Sequence, residues 1–496
     1  MTKTTATAPV LGTRALNRAT LERQLLLRRS PLPAKAAVEH LLGLQAQNVK
    51  PPYYALAARL DGFTPEELSG LMADREVVRI VTMRSTIHTH TAADALTLRP
   101  LVQPARDREL TTFRKGLVGV DLDRLAALAR ELVEAEPRTM KQLREALQTE
   151  WPDADPQALA IAARCKLPLV QVTPRGLWGK SGQVALTTAE HWLRGAPAPR
   201  PTPPATSAPS AAAPGAASPS GTSTAAAAPG AVAPAATAHG SASSAAASPS
   251  AAAPGAGLPS ATAPAAGAPA ASADGAASSS VSARGASSST AAAGRSASHA
   301  AAPGVTPVSA TAPSVASSDG PASASAETAP SPDATVLRYL AAFGPASVKD
   351  MQTWAGLTRL REVFERLRPQ LVTFRDEGGV ELFDLPDAPR PDAETPAPPR
   401  FLPEFDNLLL SHADRTRVVP AEYWGRSWVG NQVYCTFLVD GFLAGVWRLG
   451  EGALVVEPFG TLGKAQRAEL EEQAVRMLDT MHPGTSYDIR FGTVMP

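Results

Sequence analysis

The chain has 496 residues, with 47 lysines and arginines against 46 aspartates and glutamates and a formal net charge of +1, so it has no overall attraction to a polyanion and any nucleic-acid contact must come from local clusters of charge. Its cysteines, Cys165 and Cys435, are far apart and lack metal-like spacing, which argues against a disulfide framework and favours a reducing cytoplasm. No apolar run reaches the ~18 residues of a membrane span, and the first residues, MTKTTATAPVLGTRALN, lack the apolar core of a signal peptide.

The pattern along the first hundred residues is helical and then extended. RATLERQLLLRR (18–29) and AKAAVEHLLGL (34–44) carry leucines at helical spacing, Pro51 and Pro52 open a helix running to Leu60, and TPEELSGLMAD (64–74) has the Thr-Pro-x-Glu pattern of a capping box. VVRIVTMRSTIHTH (77–90) is rich in β-branched residues and reads as a hairpin. Basic clusters fall at Arg14, Arg18, Arg23, Arg28, Arg29 and Lys35, and again at Arg106, Arg108, Arg114 and Lys115. Each can be a solvated helix face or part of a phosphate-facing surface.

The order of helices then a hairpin returns twice. Residues 121–150 predict two helices broken near Pro137, with Thr139 capping the second; 152–167 predict a third, and 168–188 two strands. The glycine-rich string GLWGKSGQ (176–183) lacks the spacing of a phosphate-binding loop and follows no parallel β-α-β pattern. Residues 333–385 give the cleanest repeat: a helix, a turn at Gly344–Pro345, a helix capped by Ser347, a third helix from Leu357 to Leu367 and a hairpin turning through Glu-Gly-Gly. Between the second and third repeats, residues 196–332 are mostly Ala, Ser, Pro, Gly and Thr. From Pro201 to Pro330 there is no aromatic residue, and the only charges are Asp274, Arg284, Arg295, Asp319 and Glu327, so disorder is expected. As a coil that segment would span roughly 60–70 Å. The last part, 400–496, predicts strands turning at Asp440–Gly441 and Gly450–Gly452, a helix near 464–480 and a closing strand.

Helices followed by a hairpin is the winged-helix order. The fold expected is therefore α+β, with three tandem winged-helix units at 10–100, 101–195 and 333–399, a disordered linker at 196–332 and a β-rich domain at 400–496. The unusual stretch is HLLGLQAQNVKPPYYAL (40–56), which sets Gln45 and Gln47 one residue apart. In an extended chain they share a face, yet on the residues alone a polar helix end is the reading favoured over a site. His88 and His90 also share a strand face, but neither His40 nor His412 stands at zinc-like spacing from them. The polar set Asp406, Asn407, His412, Asp414 and Arg415 suits a turn network as well as a site wall, and Tyr53 and Tyr54 suit a core as well as a pocket.

Four stretches together resemble the bacterial winged-helix family that includes the AlkZ-like DNA glycosylases: GLQAQ (43–47), MRSTIH (83–88), FLPEFDNLLLSHADRTRVV (401–419) and FLVDGFLAGVW (437–447). They occur in the family's order and lie on both sides of the low-complexity insert. The resemblance implies a C-shaped arrangement of winged helices with a small C-terminal β domain. It implies excision of N7-alkylated purines or unhooking of interstrand crosslinks, by a monofunctional glycosylase without cofactor or metal. By resemblance Gln45 and Gln47 are catalytic, and Arg84, Thr86 and His88 meet DNA. The partner implied is alkylated or crosslinked double-stranded DNA, bound by a cytoplasmic, nucleoid-associated monomer; a non-catalytic DNA-binding protein or transcriptional regulator is the alternative. Ser85 stands where the family has glycine, and the insert falls where relatives connect directly.

Overall fold

The computed structural model describes residues 8–195, 331–429 and 432–495, all within one compact unit. The segment expected to be disordered lies outside them, except for Ser331 and Pro332, which begin a helix.

The N-terminal part runs α1 (Thr13–Arg23), α2 (Ala34–His40), β1 (Leu44–Gln45), α3 (Pro51–Arg59), α4 (Pro65–Ala73), β2 (Val77–Val81) and β3 (Ile87–Thr91). α5 (Ala92–Leu101) and α6 (Gln103–Thr111), which the sequence reading did not identify, follow directly. Next come α7 (Leu122–Ala135), β4 (Arg138–Thr139), α8 (Met140–Glu150), α9 (Pro156–Lys166), β5 (Leu169–Gln171), β6 (Ala185–Thr188) and α10 (Ala189–Arg194). After the insert stand α11 (Pro332–Phe343), α12 (Val348–Ala355), α13 (Arg361–Leu367), β7 (Val372–Arg375) and β8 (Glu381–Asp384). The chain ends with β9 (Arg400–Leu402), α14 (Asn407–Leu410), β10 (Trp428–Val429), β11 (Gln432–Val433), β12 (Cys435–Val439), β13 (Phe442–Leu449), β14 (Ala453–Pro458), α15 (Lys464–Met481) and β15 (Asp488–Phe491).

Several expectations need correction. The first helix starts earlier and stops at Arg23: Leu25 sits at φ 58°, which an α-helix cannot absorb. α2 stops at His40 because Leu42 and Gly43, at φ 55° and 88°, turn the chain into β1. Thr64 precedes α4 without capping it. Glu67, expected to complete that box, instead accepts from the Ala34 backbone N at 2.7 Å. The reason is local: Pro33 precedes α2 and has no side-chain acceptor for its first N–H groups. Thr139 and Ser347 do cap α8 and α12, each in a reciprocal box.

Strands from the first two predicted units join in one sheet, ordered β1-β3-β2-β5-β6-β4, with Arg79 facing Gln171 across the β2–β5 seam. β7 and β8 form a separate hairpin, and β15-β14-β13-β12-β9 form a sheet whose β14–β15 pair is parallel. The largest core is shared between distant segments. Tyr53, Tyr54 and Leu56 of α3 pack with Phe401, Phe437 and Trp447 of the C-terminal sheet and with Leu470 and Met477 of α15. A second core sets Leu42, Met83, Leu98 and Val102 against α11–α13. Buried bidentate pairs tie the same parts: Arg23 with Asp384 at 2.6 and 2.9 Å, and Arg59 with Asp406 at 2.7 and 2.8 Å. Both α1 and α3 are thereby fixed to sequence more than three hundred residues away.

Candidate active site

The glutamine segment is clamped from both sides. β1 pairs with β3, so that Gln45 faces His88, and the Ala46 N–H donates to the Ile87 carbonyl at 2.8 Å. Arg79 reaches under the segment from β2. Its Nη2 donates to the Ala46 carbonyl at 2.7 Å, its Nη1 to the Asn48 carbonyl at 3.3 Å and its Nε to Gln171 Oε1 at 3.1 Å. Burial, then the nearby Arg175, brings this guanidinium down to about 10, so it stays charged at neutral pH. The C-terminal part supplies the other side. Asn407 Nδ2 donates to the Gly43 carbonyl at 2.7 Å, and Glu404 accepts from Asn48 Nδ2 at 2.9 Å and from the Cys435 thiol at 3.1 Å. Gly43 itself admits no side chain: a Cβ there would lie 2.3 Å from the His90 ring.

Within this frame the predicted residues separate. Gln45 is 7% exposed, and its Oε1 accepts from Arg84 Nη2 at 2.7 Å. Gln47 lies in a bend beyond β1 and is exposed. Arg84, partly exposed, also donates to the Trp354 carbonyl on α12. Burial, then Arg415, brings its guanidinium down to about 10. Arg84 and Ser85 both stand in the left-handed region, at φ 52° and 60°, in the turn between β2 and β3. Thr86 is partly exposed and donates its hydroxyl to the Met83 carbonyl at 3.1 Å. His88 is 1% exposed, with Nδ1 3.0 Å from the Thr86 carbonyl. A carbonyl requires a donor, so Nδ1 holds the proton and Nε2 carries the lone pair of a neutral ring. Burial, Arg84 and His90 together push the His88 pKa well below its ordinary value. His90 stacks on His88 at 5.6 Å, faces Thr82 Oγ1 at 2.8 Å and is brought by burial to about 4.

Gln45, Arg84 and His88 are thus brought together, with Thr86 on the connecting turn and Gln47 two residues along the chain from Gln45. The C-terminal polar set divides. Asp406 is used by Arg59, Asn407 by the Gly43 carbonyl, and His412 by the Phe343 carbonyl at 2.9 Å. Arg415 differs: among the described residues it has no ion pair or hydrogen bond from its side chain, and its guanidinium lies 5.9 Å from the centre of the Trp424 ring. Tyr53 and Tyr54 are core residues. Sequence reasoning missed Arg79 and Glu404. Arg79 left one signal, a lone charge in the β-branched run VVRIV. Among the described residues, no three His, Cys, Asp or Glu side chains are placed to hold a metal.

A family model described as DNA glycosylase AlkZ-like matches residues 38–266 and 259–480. A search of curated protein sequences gives no significant match. Among solved structures, the chain is similar to the DNA glycosylase AlkZ of Streptomyces sahachiroi, with a TM-score of 0.59 and 14% identity over 97% of this chain and 100% of that one. At that identity the structural likeness speaks for the mixed α+β fold alone, and the family match spans both sides of the insert. The chain belongs to the AlkZ-like DNA glycosylase family.

Proposed function

We propose that the protein is a monofunctional DNA glycosylase that hydrolyses the N-glycosidic bond of N7-alkylated purines, including bases held in interstrand crosslinks. The observation that carries this reading is the clamped Gln45–Gln47 segment, with a buried amide on one residue and an exposed amide on the other. In this reading the hairpin units are winged helices that curve around the duplex as a C, and the DNA partner is met by Arg84 and Thr86, with the buried His88 behind them.

The chemistry suits amides. A guanine alkylated at N7 is already cationic and departs as a neutral base, taking the bonding electron pair, so it needs no general acid. An oxocarbenium ion remains on the sugar; water adds to it and loses a proton to solvent. The enzyme must place that water and support the positive charge, and fixed amide dipoles can do both. Gln45 Oε1 spends one lone pair on Arg84 and keeps a second. Arg84, on Gln45, and Arg415, near enough to lower the Arg84 guanidinium, are suited to backbone phosphates, which would offset their charge when a cationic lesion arrives. No lysine lies in the Gln-Ala-Gln motif, so no Schiff-base strand cleavage is expected. A crosslinked base cannot be flipped fully out, so the site must work in the open. The exposure of Gln47 supports that.

The test uses one duplex with a single N7-methylguanine and a second with an N7-linked crosslink. The reading expects alkali-labile abasic sites in the first, unhooked strands in the second, and no strand cleavage before alkali. Binding without any base release from either duplex would favour the non-catalytic DNA-binding protein instead.

A further inference from the structure

At the far end of α3 from the glutamine segment, two arginines share one neutral side chain and a third lies near both. Gln473 on α15 accepts through its Oε1 from Arg29 Nη1 at 3.0 Å and from Arg400 Nη1 at 3.3 Å. Arg476, one helical turn along α15, pairs with Asp61 at 2.6 Å. Arg29 and Arg400 otherwise bond only main-chain carbonyls: Ala57 for Arg29, Pro399 and Leu27 for Arg400. Neither has an ion-paired carboxylate among the described residues. Glu66, Glu472 and Asp479 line the open groove onto which Arg476 also faces, and none of them pairs with Arg29 or Arg400. Arg400 is 3% exposed and its Nε is buried without a partner.

Such an arrangement is unfavourable as it stands. Like charges held close in a partly desolvated place repel strongly, and burying a guanidinium without a counter-charge is costly. Burial, with Arg476 as the next cause, brings Arg29 down to about 10; burial, then Arg29 and Arg476, brings Arg400 to about 9. Among the described residues Asp61 is the one carboxylate ion-paired with any of the three, and the groove's Glu66, Glu472 and Asp479 lie on the Arg476 side, so the shortage of negative charge falls on Arg29 and Arg400. Planar guanidinium forks match the paired oxygens of a phosphoryl group, as they do those of a carboxylate.

We propose that Arg29, Arg400 and Arg476 form a phosphate-binding site, separate from the glutamine segment, with Arg29 and Arg476 as the accessible contacts and Arg400 as the buried charge behind them. The phosphoryl group is either a backbone phosphate of bound DNA or that of a small phosphorylated molecule.

The experiment uses the full chain, as wild type, Arg476→Gln and the double variant Arg29→Gln/Arg476→Gln. Melting temperature is read in sodium phosphate and in sodium chloride at matched ionic strength. Phosphate should raise the wild-type value saturably by about 2 °C, and the double variant should lose the rise. In chloride the variants should be at least as stable as wild type, because a repelling charge is gone. A second arm reads affinity for an undamaged duplex against salt. A salt slope smaller by about one in the double variant, with weaker binding, assigns the site to the DNA backbone. Unchanged duplex binding with a lost phosphate effect assigns it to a small phosphorylated ligand. No saturable effect of phosphate, or the same effect in wild type and variants, overturns the site; Arg476→Gln, exposed and paired only with Asp61, decides it if the double variant does not fold.

Discussion

At the residue scale, the site depends on which backbone positions tolerate a side chain. Gly43 stands at φ 88°, and a Cβ there would also lie 2.9 Å from the Thr89 carbonyl, so neither ring nor strand can give way cheaply. Gly43→Ala should therefore push β1 off β3 and remove base excision together with several kcal/mol of stability. Ser85 is the opposite case. At φ 60° it occupies a conformation that costs a non-glycine residue about 1–2 kcal/mol. Ser85→Gly should leave stability unchanged or higher by up to about 1 kcal/mol, since glycine's greater unfolded-state entropy offsets part of the relief. Chemical denaturation of the two variants checks both, and a destabilised Ser85→Gly would show that the serine side chain has a role beyond the turn. The departure from the family's glycine was legible in the sequence. The clash at Gly43 was not, because His90 reaches it only once β1 and β3 are paired.

At the element scale, some signals were local and others were not. Thr139 caps α8 as the sequence predicts, and Gln142 completes a box with it, since both partners lie within one turn. The same pattern at Thr64 and Glu67 failed, because Glu67 is taken by the Ala34 N–H, thirty-three residues away. Thr139→Ala should thus cost about 1 kcal/mol, and Thr64→Ala a few tenths at most; equal losses in the two would contradict the assigned bonds. The hairpin turn at Asp440–Gly441 was readable, with φ 48° and 81° as such a two-residue turn requires. Its second use was hidden: Asp440 accepts from Arg14 and Arg18 of α1. Arg79 is the clearest loss. A strand residue holding two carbonyls of the glutamine segment can be found only when the sheet order is known. Arg79→Met should lower the rate of excision at saturating DNA far more than it weakens DNA binding. A matching fall in both would make Arg79 a folding residue only.

At the scale of the whole molecule, the buried histidines couple stability to pH. His90, brought to about 4, and His412, brought to about 3 by burial and Arg417, are neutral in the folded chain, and His88 is also held well below its ordinary value. Unfolded, such rings titrate near 6.5. Below about that pH the unfolded state takes up protons that the folded state refuses, so stability is full above it and falls on acidification toward pH 4. Each ring adds a slope of up to about 1.4 kcal/mol per pH unit. Urea midpoints should be level from pH 7 to 8 and drop steadily below 6.5; level midpoints down to pH 5 would mean that these rings are not buried neutral. The same long-range packing explains how much the sequence could say. Helices, hairpins and the glutamine motif lie in contiguous residues, but the segments that hold the motif come from β2, β3 and residues 404–407.

Two amides, held in place and untitratable, are proposed to carry base excision. Single-turnover release of N7-methylguanine from duplex DNA, by wild type, Gln45→Ala and Gln47→Ala at saturating protein, tests it most directly. Wild-type release is expected, with a fall of about 10²–10³ in each variant and duplex binding retained. Release at the wild-type rate by both folded variants would contradict it.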